Sequence, residues 1–126
     1  MVTKGIYVLE LENNKYYIGY SKNIPKRIKQ HFNNHGSMYT KVHKPIRVIE
    51  TFKGNLLDEL KTTLKYIFIY GSNNVRGSIY VRVNPNETRK HLIECKAKYY
   101  VMTGKVNLKW IDINAIKYCV DSVDRV

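Results

Sequence analysis

Apolar and aromatic residues crowd the stretch from Lys4 to Tyr20 and break off only at Glu12-Asn13-Asn14. Two β-forming runs around a short polar break predict an antiparallel hairpin. Side-chain parity then constrains the turn. A two-residue loop at Asn13-Asn14 would pair Tyr7 with Tyr20 and send Tyr7 and Tyr17 to opposite faces of the sheet. A three-residue loop, Glu12-Asn13-Asn14, puts both tyrosines on one face and Tyr7 opposite Gly19, with an asparagine in the left-handed conformation it tolerates. The missing side chain at Gly19 is expected to leave room over the Tyr7 ring.

From Asn23 to Phe32 the pattern turns helical. Asn23 suits the N-cap and Pro25 the first turn, where a missing N–H costs nothing. Ile24, Ile28 and Phe32 predict the buried stripe, with Arg27 and His31, four apart, flanking it on one side. Asn33 to Pro45 carries Gly, Ser, Asn, histidines and lysines without periodicity and reads as a mobile basic loop. Ile46 to Phe52 predicts a third strand. A helix follows from Gly54-Asn55 to Tyr70, stopped by Gly71, with Leu57, Leu60, Leu64 and Ile67 or Phe68 on its core face. Asn55 and Asp58 have capping-box spacing, so the helix end does not need Glu59, which lies one residue off the leucine stripe. After Ser72-Asn73-Asn74, a β-like stretch is expected from Ser78 to Val83, closed by Asn84-Pro85-Asn86. Further helices are expected over Glu87–Met102 and Asp112–Ser122.

These elements predict an α/β (α+β) fold, a small three-stranded antiparallel sheet flanked by helices. Residues 1–84 form the main unit, and 85–126 a helical extension that packs on it or aids substrate or partner binding. The 126 residues, 44% hydrophobic, suffice for one modest core. No apolar run reaches the length of a membrane-spanning helix and Met1-Val2-Thr3-Lys4 lacks a signal-peptide core, so a soluble intracellular protein is expected. Cys95 and Cys119 have no close-spaced partner, which argues against a disulfide framework or zinc knuckle and for buried free thiols. Charge changes the picture most. A formal net charge of +12 attracts polyanions, nucleic acid ahead of anionic membrane. The first 84 residues hold 14 basic against 5 acidic side chains and the remainder 8 against 5, and Lys22, Lys26, Lys29, Lys41, Lys44 and Arg76 are the candidate phosphate contacts.

Both hairpin strands keep a tyrosine near a glycine, in Gly5-Ile6-Tyr7 and Tyr17-Ile18-Gly19. Arg27 and His31 follow on the basic helix, then Glu59 on the next long helix, then Asn74-Val75-Arg76-Gly77. In that series and order, from Lys4 to about Val83, the chain resembles the GIY-YIG nuclease family. Either tripeptide alone is a weak signal, but the whole set rarely assembles by chance. The resemblance implies a metal-dependent endonuclease that hydrolyses phosphodiester bonds of DNA, with RNA left open. It implies Glu59 as the one carboxylate on a divalent metal, which suits Mg²⁺, with Mn²⁺ as a substitute, because Mg²⁺ keeps several waters. It further implies that the planar fork of Arg27 stabilises charge on phosphate oxygens. Tyr7 takes a proton from the attacking water, Tyr17 hydrogen-bonds within the site, and Asn74 steadies it from outside.

His31 is the competing base, its unperturbed pKa lying close to working pH, or else it orients the Tyr7 hydroxyl. A phenol titrates near 10, so the Tyr7 role requires its anion to be favoured by the metal and Arg27. Taken singly, Glu59 reads as a solvated helix acid and the tyrosines as core packing; taken together they read as a site. Two other readings stay open: a non-catalytic nucleic-acid-binding module on the same fold, and an adaptor that docks a protein through its C-terminal helices. Metal-dependent cleavage separates them from an enzyme. No oligomerisation signal is legible.

Overall fold

The computed structural model describes residues 3–78, 80 and 87–106. Strand β1, Gly5–Leu11, passes through Glu12–Asn14 into β2, Lys15–Ser21. Asn13 and Asn14 both take left-handed φ, 65° and 59°, and Leu11 pairs with Lys15, so the loop has the odd length that parity requires. Tyr7 pairs with Gly19 and Leu9 with Tyr17. Helices α1 (Ile24–Phe32) and α2 (Met38–Val42), strand β3 (Pro45–Phe52), helix α3 (Leu56–Tyr70), strand β4 (Val75–Gly77) and helix α4 (Glu87–Thr103) follow.

The sheet runs in the order β3-β1-β2-β4. β1 is antiparallel to β2 and β3, whereas β4 is parallel to β2. The expected three-stranded antiparallel sheet is therefore a four-stranded mixed one. The extra strand, Val75-Arg76-Gly77, is buried throughout and only three residues long, so it offers no alternation to read. The β-like stretch expected from Ser78 to Val83 falls largely outside the described residues, as does the helix expected over Asp112–Ser122.

Strand alternation divides the interior in two. On one face Ile6, Val8 and Ile18 pack with Leu60, Leu64 and Ile67 of α3 and with Ile93 and Ala97 of α4. On the other, Tyr7, Leu9, Leu11 and Tyr17 pack with Ile24 of α1 and Tyr39 of α2. Each buried Ile, Leu or Val among them contributes about 1.5–3 kcal/mol by leaving water. The segment expected to be a mobile loop thus supplies α2, and its Tyr39 and Thr40 are buried.

α3 starts and stops where its sequence signals stand. Asn55 and Asp58 exchange cap hydrogen bonds at 2.8 and 3.1 Å, and Gly71 ends the helix with φ of 90°. Its buried face differs from expectation: Leu57 and Phe68 are exposed, and Thr63 is buried between Leu60, Leu64 and Ile67. A small residue belongs there because β4 comes close. A Cβ on Gly77 would stand 2.7 Å from the Thr63 hydroxyl oxygen, which satisfies itself by donating to the Glu59 carbonyl oxygen. Cys95 on α4 is buried and disulfide-bonded rather than a free thiol, since spacing along a chain does not report distance in space; Cys119 lies outside the described residues. No helix among the described residues is long and apolar enough to cross a membrane.

Candidate active site

α1 turns His31, not Phe32, onto the tyrosine face of the hairpin. His31 is 1% exposed and Phe32 44%, so the buried stripe is rotated from Ile24, Ile28 and Phe32. Polar partners make the rotation tolerable. His31 Nε2 lies 2.7 Å from the Tyr7 hydroxyl and Nδ1 2.9 Å from the Thr40 hydroxyl. Thr40 spends its own proton on the Ser37 carbonyl oxygen at 3.1 Å. Its oxygen therefore receives the Nδ1–H of His31, and the Nε2 lone pair receives the proton of Tyr7.

The electrostatics keep those protons where they are at rest. Burial, reinforced by the Arg27 charge, pushes His31 down to about 4, so the ring is neutral near pH 7. Burial, then Tyr17, raises Tyr7 well above the ordinary phenol value, and Arg27 pulls the other way without overcoming it. Tyr17 is raised chiefly by burial too, opposed by Ser37 and Arg27. Its ring centroid lies 6.4 Å from that of Tyr7 and 5.1 Å from that of His31. Arg27, one turn before His31, donates to Gln30 at 2.9 Å and presents its charge to both phenols and the imidazole.

Two glycines seat the Tyr7–His31 pair. A Cβ on Gly19 would fall 2.2 Å from the Tyr7 carbon that bears the hydroxyl, and one on Gly36 would fall 2.0 Å from His31 Nδ1. The room expected over the tyrosine ring is filled by the ring itself, lying on Gly19.

Glu59 reaches this face from α3, behind the sheet. β4 pairs with β2 only as far as Ile18, and Ser78 then turns away with a left-handed φ of 52°. The N–H of Tyr16 donates to Asn74 at this edge, and strand alternation points the N–H of Tyr20 the same way. No strand carbonyl of β4 remains to meet it, and the amides of Tyr20 and Ser78 act on the Glu59 carboxyl instead. Burial raises the Glu59 carboxyl above the ordinary range against those two amides. Its charge acts on both Tyr7 and Tyr17, and among the described residues it makes no ion pair.

The structure thus brings Tyr7, Tyr17, Arg27, His31 and Glu59 together. It places Asn74 elsewhere, at the turn between α3 and β4, donating to the Tyr70 carbonyl oxygen and accepting from Lys15, both at 2.7 Å. Arg76 is no exposed phosphate contact. It is 4% exposed, and its guanidinium donates to the carbonyl oxygens of Ser72 and Val75 and lies 5.0 Å from the Tyr39 ring centroid. Lys22, Lys26, Lys29, Lys41 and Lys44 are exposed. Gly36, Ser37 and Thr40 escape a reading by periodicity. The available signal was Ser37, whose side chain caps α2 by accepting from the Thr40 N–H.

Among known families, the model of the GIY-YIG catalytic domain matches residues 3–62. The UPF0213 protein YazA of Bacillus subtilis (strain 168) is 31% identical over 91 residues, which cover 64% of this chain and 91% of that protein. A UPF0213 protein of Staphylococcus saprophyticus is 39% identical over 44 residues, 35% of this chain and 54% of that one. A third, of Halalkalibacterium halodurans, is 34% identical over 47 residues, 37% of this chain and 50% of that one. For the latter two the match spans about half of the relative's length. No solved structure matches. The cluster on the hairpin and the match that runs through it lead to one assignment: the chain belongs to the GIY-YIG family, whose domain is typically that of a nuclease.

Proposed function

We propose that the chain is a metal-dependent endonuclease that hydrolyses DNA phosphodiester bonds, with Tyr7, Arg27, His31 and Glu59 as its catalytic residues. The observation that carries this reading is the meeting of a Tyr7–His31–Thr40 donor chain with a carboxylate delivered through the open edge of β2. A half-buried acid that faces two backbone amides and, among the described residues, makes no ion pair suits a hard divalent ion held by one carboxylate and waters. Among the described residues no three His, Cys, Asp or Glu side chains converge, so Glu59 would hold the ion alone. Bound there, Mg²⁺ or Mn²⁺ would neutralise charge gathering on the phosphate oxygens.

The remaining work falls to the chain's own groups. The Arg27 fork faces the phosphate and offsets charge that grows in the transition state. Tyr7 gives its proton to His31 Nε2 as it accepts one from the attacking water, and Thr40 holds the ring in the tautomer that permits this. At about 4, His31 is a weak base in the resting site. The negative charge of an incoming phosphate raises it and strengthens the acceptor when substrate is present. Tyr17 walls the site beside both partners. Residues 1–84 form the nuclease unit, and Lys22, Lys26, Lys29, Lys41 and Lys44 track the polynucleotide around it.

Plasmid DNA incubated with Mg²⁺ should be nicked, and EDTA should stop the reaction. Glu59→Ala should abolish cleavage while the protein still retards DNA on a gel. Retardation by the unaltered protein with no metal-dependent cleavage would replace the enzyme with a binding module.

A further inference from the structure

α2 has two working sides. Thr40 holds His31, and the adjacent Tyr39, with His43 just past the helix, turns to a cavity of about 510 Å³ whose walls include Lys15, Asn73, Arg76 and Lys90. Lys15 shares a strand face with Tyr17 and Gly19 but lies four residues from Gly19, about 13 Å along β2. The cavity is therefore separate from the Tyr7 site.

Its chemistry is that of an anion pocket. The Lys15 ammonium donates to Asn74 Oδ1 at 2.7 Å and to the Asn73 carbonyl oxygen at 3.3 Å. These neutral partners fix its position without cancelling its charge. Arg76 is pinned in the wall by backbone carbonyls and the Tyr39 ring. His43 Nδ1 is buried with no partner, which leaves Nε2 as the ring nitrogen open to solvent. Lys15 and Arg76 face that ring as positive charges and Glu12 as a weaker opposing one. The volume is in the range of small-ligand pockets.

We propose that this cavity is a phosphate-binding pocket, with Lys15 Nζ and His43 Nε2 as donors, for a phosphate carried by a polynucleotide strand or by a free nucleotide. The pocket stands whether or not the chain cuts DNA.

The test follows the His43 ring by NMR in metal-free, unaltered protein, with His43→Asn to assign its signals. Inorganic phosphate, a nucleoside 5′-monophosphate and a single-stranded oligonucleotide are titrated in turn. Each anion should move the ring signals and raise the His43 titration midpoint. A response to the oligonucleotide at concentrations at least about tenfold lower marks a strand phosphate, and one strongest for the mononucleotide marks a nucleotide pocket. Lys15→Gln should weaken the response about tenfold, as loss of a charged donor requires. No movement with any of the three, or an unchanged response in Lys15→Gln, overturns the proposal.

Discussion

At the scale of single residues, the hydrogen bond from Tyr7 to His31 joins two candidates for the same job into one path. If they act as a unit, Tyr7→Phe and His31→Gln should each lower the single-turnover cleavage rate by about 10²–10⁴, and the double variant should be little worse than either. Independent roles would make the losses multiply. Arg27→Ala should cost about 10²–10³ in the same rate, with DNA affinity much less affected. His31 also carries a pH signature. Its folded value of about 4 lies below the ordinary 6.5, so between those limits the unfolded chain binds more protons. The stabilisation is full above the unfolded value and is lost as pH falls through about 4, amounting to at most about 3 kcal/mol. Urea midpoints measured from pH 7 down to 4 should fall for the unaltered protein and fall less for His31→Gln.

At the scale of elements, hydrophobic period and cap chemistry made much of the frame legible. The parity of Tyr7 and Tyr17 requires an odd loop, and Leu11 pairs with Lys15 around three residues. Asn23, Asn55 and Gly71 mark real helix ends. What escaped was decided by polar contacts across the chain. His31 outranks Phe32 for the interior because Tyr7 and Thr40 meet its two nitrogens, a fact no single helix displays. α2 escaped for a related reason: a five-residue helix has too few turns to show a period. Glu59 stood out by its sequence position off the leucine stripe, but its route to the tyrosines depends on where β4 ends. For α2 the expectation is specific. Thr40→Val should leave unfolding behaviour close to normal yet lower the cleavage rate about tenfold or more, and Thr40→Ser should restore it. Failure of the serine to rescue would count against a positioning role for the hydroxyl.

At the scale of the whole molecule, a net charge of +12 and a set of exposed lysines around the hairpin face make long-range attraction to a polyanion a property of the entire surface. If six to ten phosphates are contacted, DNA affinity should fall by about 10³–10⁵ between roughly 50 and 200 mM salt, measured by fluorescence anisotropy. A flat salt response would mean that the charge does not face the polymer. The mixed sheet has a consequence of its own. One more residue pair between β4 and β2 would set a backbone oxygen against the Tyr20 amide that now acts on the Glu59 carboxyl, sealing the front of the sheet from the helix behind it. The shortness of the last strand is a doorway, and it lets an acid raised in one layer of the fold serve the opposite one.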